Sequence, residues 1–292
     1  MFQPPAKPNA KPNPLLALAA VSMAVCRRHM SSYSHPGSKH TYTQAQLMTC
    51  LVLKAYLKQT YRGVVDLLAA SDGLRAAVGL ETVPAHTTLK MFEARACTPG
   101  LLDALVGRVL ELARERAGLE VHDVAVDSTG VACTPASRHY ELRVGRKPGR
   151  YVKLMLAVAC GSILAVSATA SFGPSNDTGD CRGVLWRGSG RCAPHGGYLD
   201  GGFDGERQHA FFRDGMGVAG FIPPVVRTDD GTVKTPHRSK CVRLPKSYGR
   251  RWHAEAFISG LKRVCGSAVR ARTDAAMLRE ALLKVLAYTA YR

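Results

Sequence analysis

The chain has 292 residues, enough for one sizeable core or two modest domains, and its 46% hydrophobic content is ordinary for a globular protein. The 40 Lys+Arg against 22 Asp+Glu leave a formal net charge of +18, which points to a polyanionic partner because neutralising phosphates releases condensed counterions. Nine cysteines, an odd number with no C-x-x-C pair, exclude a small disulfide framework and read as reduced thiols of a cytoplasmic protein.

Residues 1–40 read as a loosely ordered arm. The stretches PPAKPNAKPNP and SSYSHPGSKH are rich in breakers. The apolar run between them, Leu15 to Cys26, is too short to cross a bilayer and is followed at once by arginines. It is therefore expected to be a short helix docked on the body rather than an export signal. No other segment is long and apolar enough to be transmembrane.

Residues 41–120 carry a helical pattern. Leu47, Leu51, Lys54 and Leu57 recur at three and four, as do Val64, Leu67 and Leu68, and Leu101, Leu105, Val109 and Leu112. Short breaks fall at Ser71-Asp72-Gly73, Gly79 and Val83-Pro84, and Pro84 to Lys90 reads as a helix start. Short helices joined by tight turns suit a helix-turn-helix type of DNA-binding unit, although many helical bundles share the pattern.

The pattern changes at Val121, and residues 121–292 read as α/β. A strand is expected to end on Asp127. Tyr151 to Cys160 and Ile163 to Ser171 read as a hairpin, and Gly197 to Asp200 as a short strand. Pro223 to Arg227 is expected to lead into another strand. Helical pattern returns at Gly205 to Phe212, Arg251 to Val264 and Asp274 to Tyr291.

The most informative feature is a ladder, Tyr248, Arg251, Glu255 and Lys262, with offsets of three, four and seven. On an α-helix these side chains share an arc of about 60°, apart from the apolar Ile258, Leu261, Val264 and Cys265. Two further acids stand at expected strand ends, Asp127 and Asp200, where α/β folds gather ligands. Three carboxylates brought together repel unless a cation lies between them, and a hard ion such as Mg²⁺ suits oxygen ligands and phosphate. Arg251 and Lys262 are then placed to hold a DNA phosphate. The plain alternatives are a turn or cap role for each Asp and an i,i+4 ion pair between Arg251 and Glu255. Asp204 rivals Asp200 but ranks lower, being placed to cap the Gly205 to Phe212 helix. Asp177 is expected in a turn. Cys181, Cys192 and His195 lack a fourth metal ligand at sensible spacing.

Tyr248-x2-Arg251-x3-Glu255-x6-Lys262 resembles the signature of the DDE transposases of bacterial and archaeal insertion sequences, the YREK group, at every position. Asp127-Ser128-Thr129 resembles the motif around that family's first acid, and Asp200-x-Gly202-Phe203 the motif around the second. The helical half, with Val83-Pro84 leading into Thr87-Thr88-Leu89, is also similar, so the resemblance spans about residues 41–292. Gly201 stands where many relatives carry a basic residue.

The resemblance implies an RNase H-like mixed sheet flanked by helices, preceded by an all-helical DNA-binding region. The implied divisions are an arm at 1–40, a DNA-binding region at 41–120 and a catalytic domain at 121–292. Asp127, Asp200 and Glu255 are implied as metal ligands and catalytic triad for two Mg²⁺ ions, with Mn²⁺ as a substitute. Tyr248, Arg251 and Lys262 are implied as DNA contacts at the transposon end. The implied activity is cleavage of terminal inverted repeats and strand transfer into target DNA by a homodimer bridging two ends, with no membrane association. A nuclease of the same fold without strand transfer and a catalytically decayed DNA-binding protein are the alternatives.

Overall fold

The computed structural model of the chain describes residues 13–37, 39–133, 149–175, 177–227, 229 and 231–292. Side-chain caps set the starts of the first helices. At the head of α1 (Pro14–His29) Asn13 Oδ1 accepts from Leu15 N at 2.9 Å. Thr43 and Gln46 cap each other's backbone at the start of α2 (Gln44–Tyr56). Thr60 caps α3 (Tyr61–Ala70), and Ser71 caps α4 (Asp72–Val78). After Pro84 comes α5 (His86–Ala96), and Thr98 caps the long α6 (Pro99–Ala117). The apolar run inside the expected arm forms α1, which buries Leu18, Ala19, Met23, Val25 and Cys26. Most of the Pro/Lys/Asn stretch before it lies outside the described residues.

The strands form one sheet in the order β3-β2-β1-β4-β5. β1 (Asp123–Ala132), β2 (Tyr151–Ala159) and β3 (Leu164–Gly173) make an antiparallel meander. β4 (Gly196–Leu199) runs parallel to β1, and β5 (Ala219–Phe221) parallel to β4. α7 (Asp177–Ser189) links β3 to β4. α8 (Glu206–Ala210) continues into a π-helical turn, Phe211–Gly215, before β5. α9 (Trp252–Cys265) and α10 (Asp274–Tyr291) follow. The result is a mixed five-stranded sheet flanked by helices, compatible with an RNase H-like fold.

Alternation along the strands divides two apolar clusters between the sheet's faces. Ala125, Val131, Leu154, Leu156 and Val158 join the side chains of α1, α2, α6, α9 and α10. Val124, Val126, Met155, Ala157 and Ala159 join Cys181, Val184 and Leu185 of α7 and Phe212. The first cluster runs unbroken from the N-terminal helices to the sheet, so the two halves share one core. α10 is its axis: every residue from Ala281 to Ala290 is buried. Even so, no helix among the described residues is long and apolar enough to cross a membrane. A buried carboxylate ties α6 to the sheet. Asp103 Oδ1 accepts from Ala168 N (2.7 Å) and Ser167 Oγ (2.9 Å), and its Oδ2 from Arg187 Nε (2.9 Å) and Arg191 Nη2 (2.8 Å).

Three expectations are corrected. β1 does not end at Asp127 but continues to Ala132, because the antiparallel partner β2 extends to Tyr151 and keeps pairing it. Pro223 to Arg227 lies outside any strand. The pairing residues are Ala219–Phe221, upstream of prolines that have no N–H to donate. Asp177 opens α7 instead of a turn, and its carboxylate meets Lys153 Nζ of β2 at 3.0 Å.

Two glycines on the inner edge of the sheet make a seat for Phe212, which is fully buried. A Cβ on Gly220 would stand 2.6 Å from Phe212 Cγ and 2.8 Å from its Cβ, and one on Gly197 would strike the same ring. Gly220→Ala is therefore expected to destabilise the fold by about 1–3 kcal/mol through overpacking. Urea unfolding of the two proteins checks this, with unchanged m-values expected.

Candidate active site

The parallel register of β1 and β4 places the first two acids. Ala125 lies beside Tyr198 and Val126 beside Leu199. One step further the chain carries Asp127, within β1 and by alternation on the same face as Ala125, and Asp200, just past the end of β4. β4 stops at Leu199, and Asp200 leads into a 3₁₀ turn, Gly201–Phe203, to which its side chain gives no cap. The carboxylate of Asp200 is thus left exposed at the strand's end. Asp127 is half-buried and accepts from Ser128 N at 2.8 Å.

The third acid comes from α9. Its exit is tied to the end of β1: Ala132 N–H donates to Ser267 O (2.9 Å), and Val269 N–H to Ala132 O (2.8 Å). This holds the helix over the β1 face that carries Asp127. Glu255 sits in the first turn of α9, and Arg251 Nη2 meets Glu255 Oε1 at 2.8 Å. Lys262 lies two turns further on, close enough for the Asp127 carboxylate to act on it. Burial lowers the Lys262 pKa, and Asp127 opposes that.

The four-residue ladder does not form a single helical stripe. Tyr248 and Arg251 belong to a 3₁₀ helix, Lys246–Arg251, and only Glu255 and Lys262 lie on α9. At three residues per turn the 100° spacing fails before Trp252. The Tyr248 hydroxyl donates to Leu199 O at 3.0 Å, one residue before Asp200. Burial raises its pKa, with Asp200 and Glu255 adding to the rise and Arg251 opposing it.

Asp127, Asp200 and Glu255 therefore stand within electrostatic reach of one another. Burial raises the Asp127 pKa first. The Ser128 N–H and Arg251 lower it, and Glu255 and Asp200 raise it further. An all-oxygen donor set with uncompensated negative charge suits a hard divalent cation. Among the described residues, however, no three His, Cys, Asp or Glu side chains stand close enough to hold a metal ion together. Glu255 faces Arg251 instead of the two aspartates. The donor chemistry fits, and its assembly requires Glu255 to exchange Arg251 for the ion. Cys181 and Cys192 are buried in the core, while His195 stacks on His122 with centroids 5.6 Å apart. All nine cysteines are unpaired.

Asp204 is not a helix cap; Gly205 holds that position, without a side-chain bond. Its carboxylate is wholly buried. Arg238 grips it through Nε (2.9 Å) and Nη2 (2.6 Å), Val225 N donates at 2.8 Å, and His209 Nε2 lies at 3.0 Å. Burial pushes its pKa up, but Arg238, Val225 and His209 hold it below the usual carboxylate range. Every oxygen is in use, which removes Asp204 as a rival to Asp200. Nothing in Gly-Phe-Asp-Gly signals this role; its partners lie 5, 21 and 34 positions away.

No protein-family profile matches the chain, and no curated protein matches it. Among solved structures, the chain is similar to the piggyBac transposase in a cryo-EM synaptic complex with hairpin DNA. The TM-score is 0.45 and the identity 10%, over 95% of this chain and 74% of that one.

A carboxyl group whose pKa is higher folded than unfolded costs stability once ionised. Between the two pKa values the folded state holds more protons, so stability falls as pH rises through that window. For the metal-free protein, Asp127→Asn is expected to raise the melting temperature at neutral pH. The gain is expected to vanish in acid below the unfolded carboxylate pKa. Thermal melts of both proteins from acid to neutral pH check it.

Proposed function

We propose that this protein is a DDE-type transposase that cleaves the ends of an insertion sequence and joins them to target DNA. The observation that supports the reading is the parallel pairing of Val126 with Leu199, each one residue before an aspartate, with Glu255 and Arg251 close enough to act on the Asp127 carboxylate and that carboxylate close enough to act on Lys262. The resemblance of the Tyr-Arg-Glu-Lys spacing to the YREK group supports it, as does the net charge of +18.

Asp127, Asp200 and Glu255 would hold divalent metal, Mg²⁺ with Mn²⁺ as substitute. Such ions supply an activated water or hydroxyl and steady the leaving oxygen of an in-line displacement. The chain's own groups prepare the phosphate. Arg251, freed from Glu255, would offer a planar fork to non-bridging oxygens, and Lys262, within electrostatic reach of Asp127, a point charge. Tyr248 braces the strand end that carries Asp200 and lies beside the incoming backbone. Water cleavage and attack by the freed 3′-hydroxyl are both in-line displacements, so one site serves both. Two protomers each bringing one terminal inverted repeat would complete the reaction.

The test mixes the protein with a labelled duplex carrying the DNA that borders its gene, a supercoiled plasmid target and Mg²⁺. Cut ends and joined products are expected. Asp127→Ala, Asp200→Ala and Glu255→Ala are each expected to lower cleavage on the order of 10³-fold or more while leaving duplex binding largely intact. Chelation of the metal is expected to do the same. Normal cleavage by the Asp127→Ala protein overturns the assignment, and cutting without joining identifies a nuclease.

A further inference from the structure

The chemistry described above reads no sequence, and α5 has the features of an element that does. Its inner side buries Leu89 and Phe92 against α2 and α3. Its one acid, Glu93, is turned inward and neutralised: Lys54 Nζ lies at 3.2 Å and Tyr61 Oη donates at 2.9 Å. The opposite stripe, Thr87, Lys90, Met91 and Ala94, faces solvent, with Met91 72% exposed. At 100° per residue those four cover an arc of about 100° directly opposite the buried side chains. No carboxylate interrupts it.

One flank of the stripe adjoins a cleft of about 360 Å³ between α5 and the chain leading into α2. Arg95 and Thr88 of α5 face Lys39, Tyr33 and Tyr42 across it, and no acid lines it. The wall opposite α5 is fastened by a Tyr33–His40 stack with centroids 4.0 Å apart and by Gln44 Nε2 donating to Ser31 O at 3.1 Å. A helix showing apolar groups and a cation outward, beside a basic, hydroxyl-rich cleft, has chemistry that a DNA duplex complements.

We infer that α5 lies in the DNA major groove and reads the sequence the protein recognises, with the Lys39–Arg95 cleft holding the adjacent backbone. The inference rests on the proposed function for its partner and adds the reading element. Eleven residues make α5 about 16 Å long, and a bare helix fits a groove about 12 Å wide. Lys90 offers donors to guanine O6 and N7, while Met91, Ala94 and the Thr87 methyl offer apolar contact to thymine methyls. Arg95 and Lys39 contribute salt-dependent affinity without sequence preference.

The test selects bound DNA from a pool of random duplexes of about 20 bp, without divalent metal, so that binding alone is read. The wild-type protein and Asp127→Ala are expected to enrich one common motif. Lys90→Ala and Met91→Ala are expected to bind that motif roughly 5- to 150-fold more weakly, or to enrich a motif altered at one or two positions. Arg95→Ala is expected to keep the motif and to reduce the salt dependence by about one charge. All three side chains are exposed, so unchanged melting temperatures are expected and confirm intact folds. Enrichment of the same motif with equal affinity by Lys90→Ala and Met91→Ala overturns the inference, as does the absence of any motif for the wild type. Loss of the cleavage activity alone, with the motif retained, refutes the transposase reading and leaves α5 as the reader.

Discussion

Two like charges on adjacent strands are the constraint around which the site is arranged. The parallel pairing of β1 with β4 ends at Val126 and Leu199, one residue before Asp127 and Asp200, and so brings the two acids near each other. The surroundings answer the repulsion only in part: one N–H from Ser128, Arg251 at the head of α9, and Lys262 two turns along. Burial adds to the cost of ionising Asp127. A neutral residue there would avoid that cost, and a partly buried acid with perturbed ionisation is a candidate functional group.

The contrast with the other buried acids sharpens the point. Asp103 and Asp204 are more deeply buried than Asp127, yet each is saturated by arginine and backbone N–H donors. Breaking such a pair leaves an uncompensated buried charge, so these acids hold elements together, α6 to the sheet and Arg238 to the segment after Phe203. Asp127 lacks that saturation and lies within electrostatic reach of two other carboxylates, Asp200 and Glu255. The count of donors thus separates Asp103 and Asp204, which act as scaffold, from Asp127.

Much of this was legible in the chain. The alternation in Val124 to Asp127, the hairpin across Gly161-Ser162 and the long periodic segment after Thr273 each emerge as elements close to where their patterns place them. These are local signals, set by neighbours within one or two turns. The spacing of Tyr248, Arg251, Glu255 and Lys262 does not translate into one helical stripe. The helix it presumed begins only at Trp252, and Tyr248 turns to the backbone of β4. The role of Asp204, the glycine seat under Phe212 and the extension of β1 past Asp127 depend on partners distant in sequence, which no local pattern encodes.

The shared core gives the arrangement a mechanical consequence. α5 packs on α2, α2 on α10, and α10 on α9, which carries Glu255 and Lys262. Each joint in that series contains buried apolar contacts, with the Lys54–Glu93 ion pair added between α2 and α5, and close-packed interiors transmit displacement instead of absorbing it. α5 and the acid-bearing end of the sheet are then parts of one body, and the distance between them is set by the fold. Changing the distance between α5 and α9 would require repacking α10, whose buried face runs from Ala281 to Ala290.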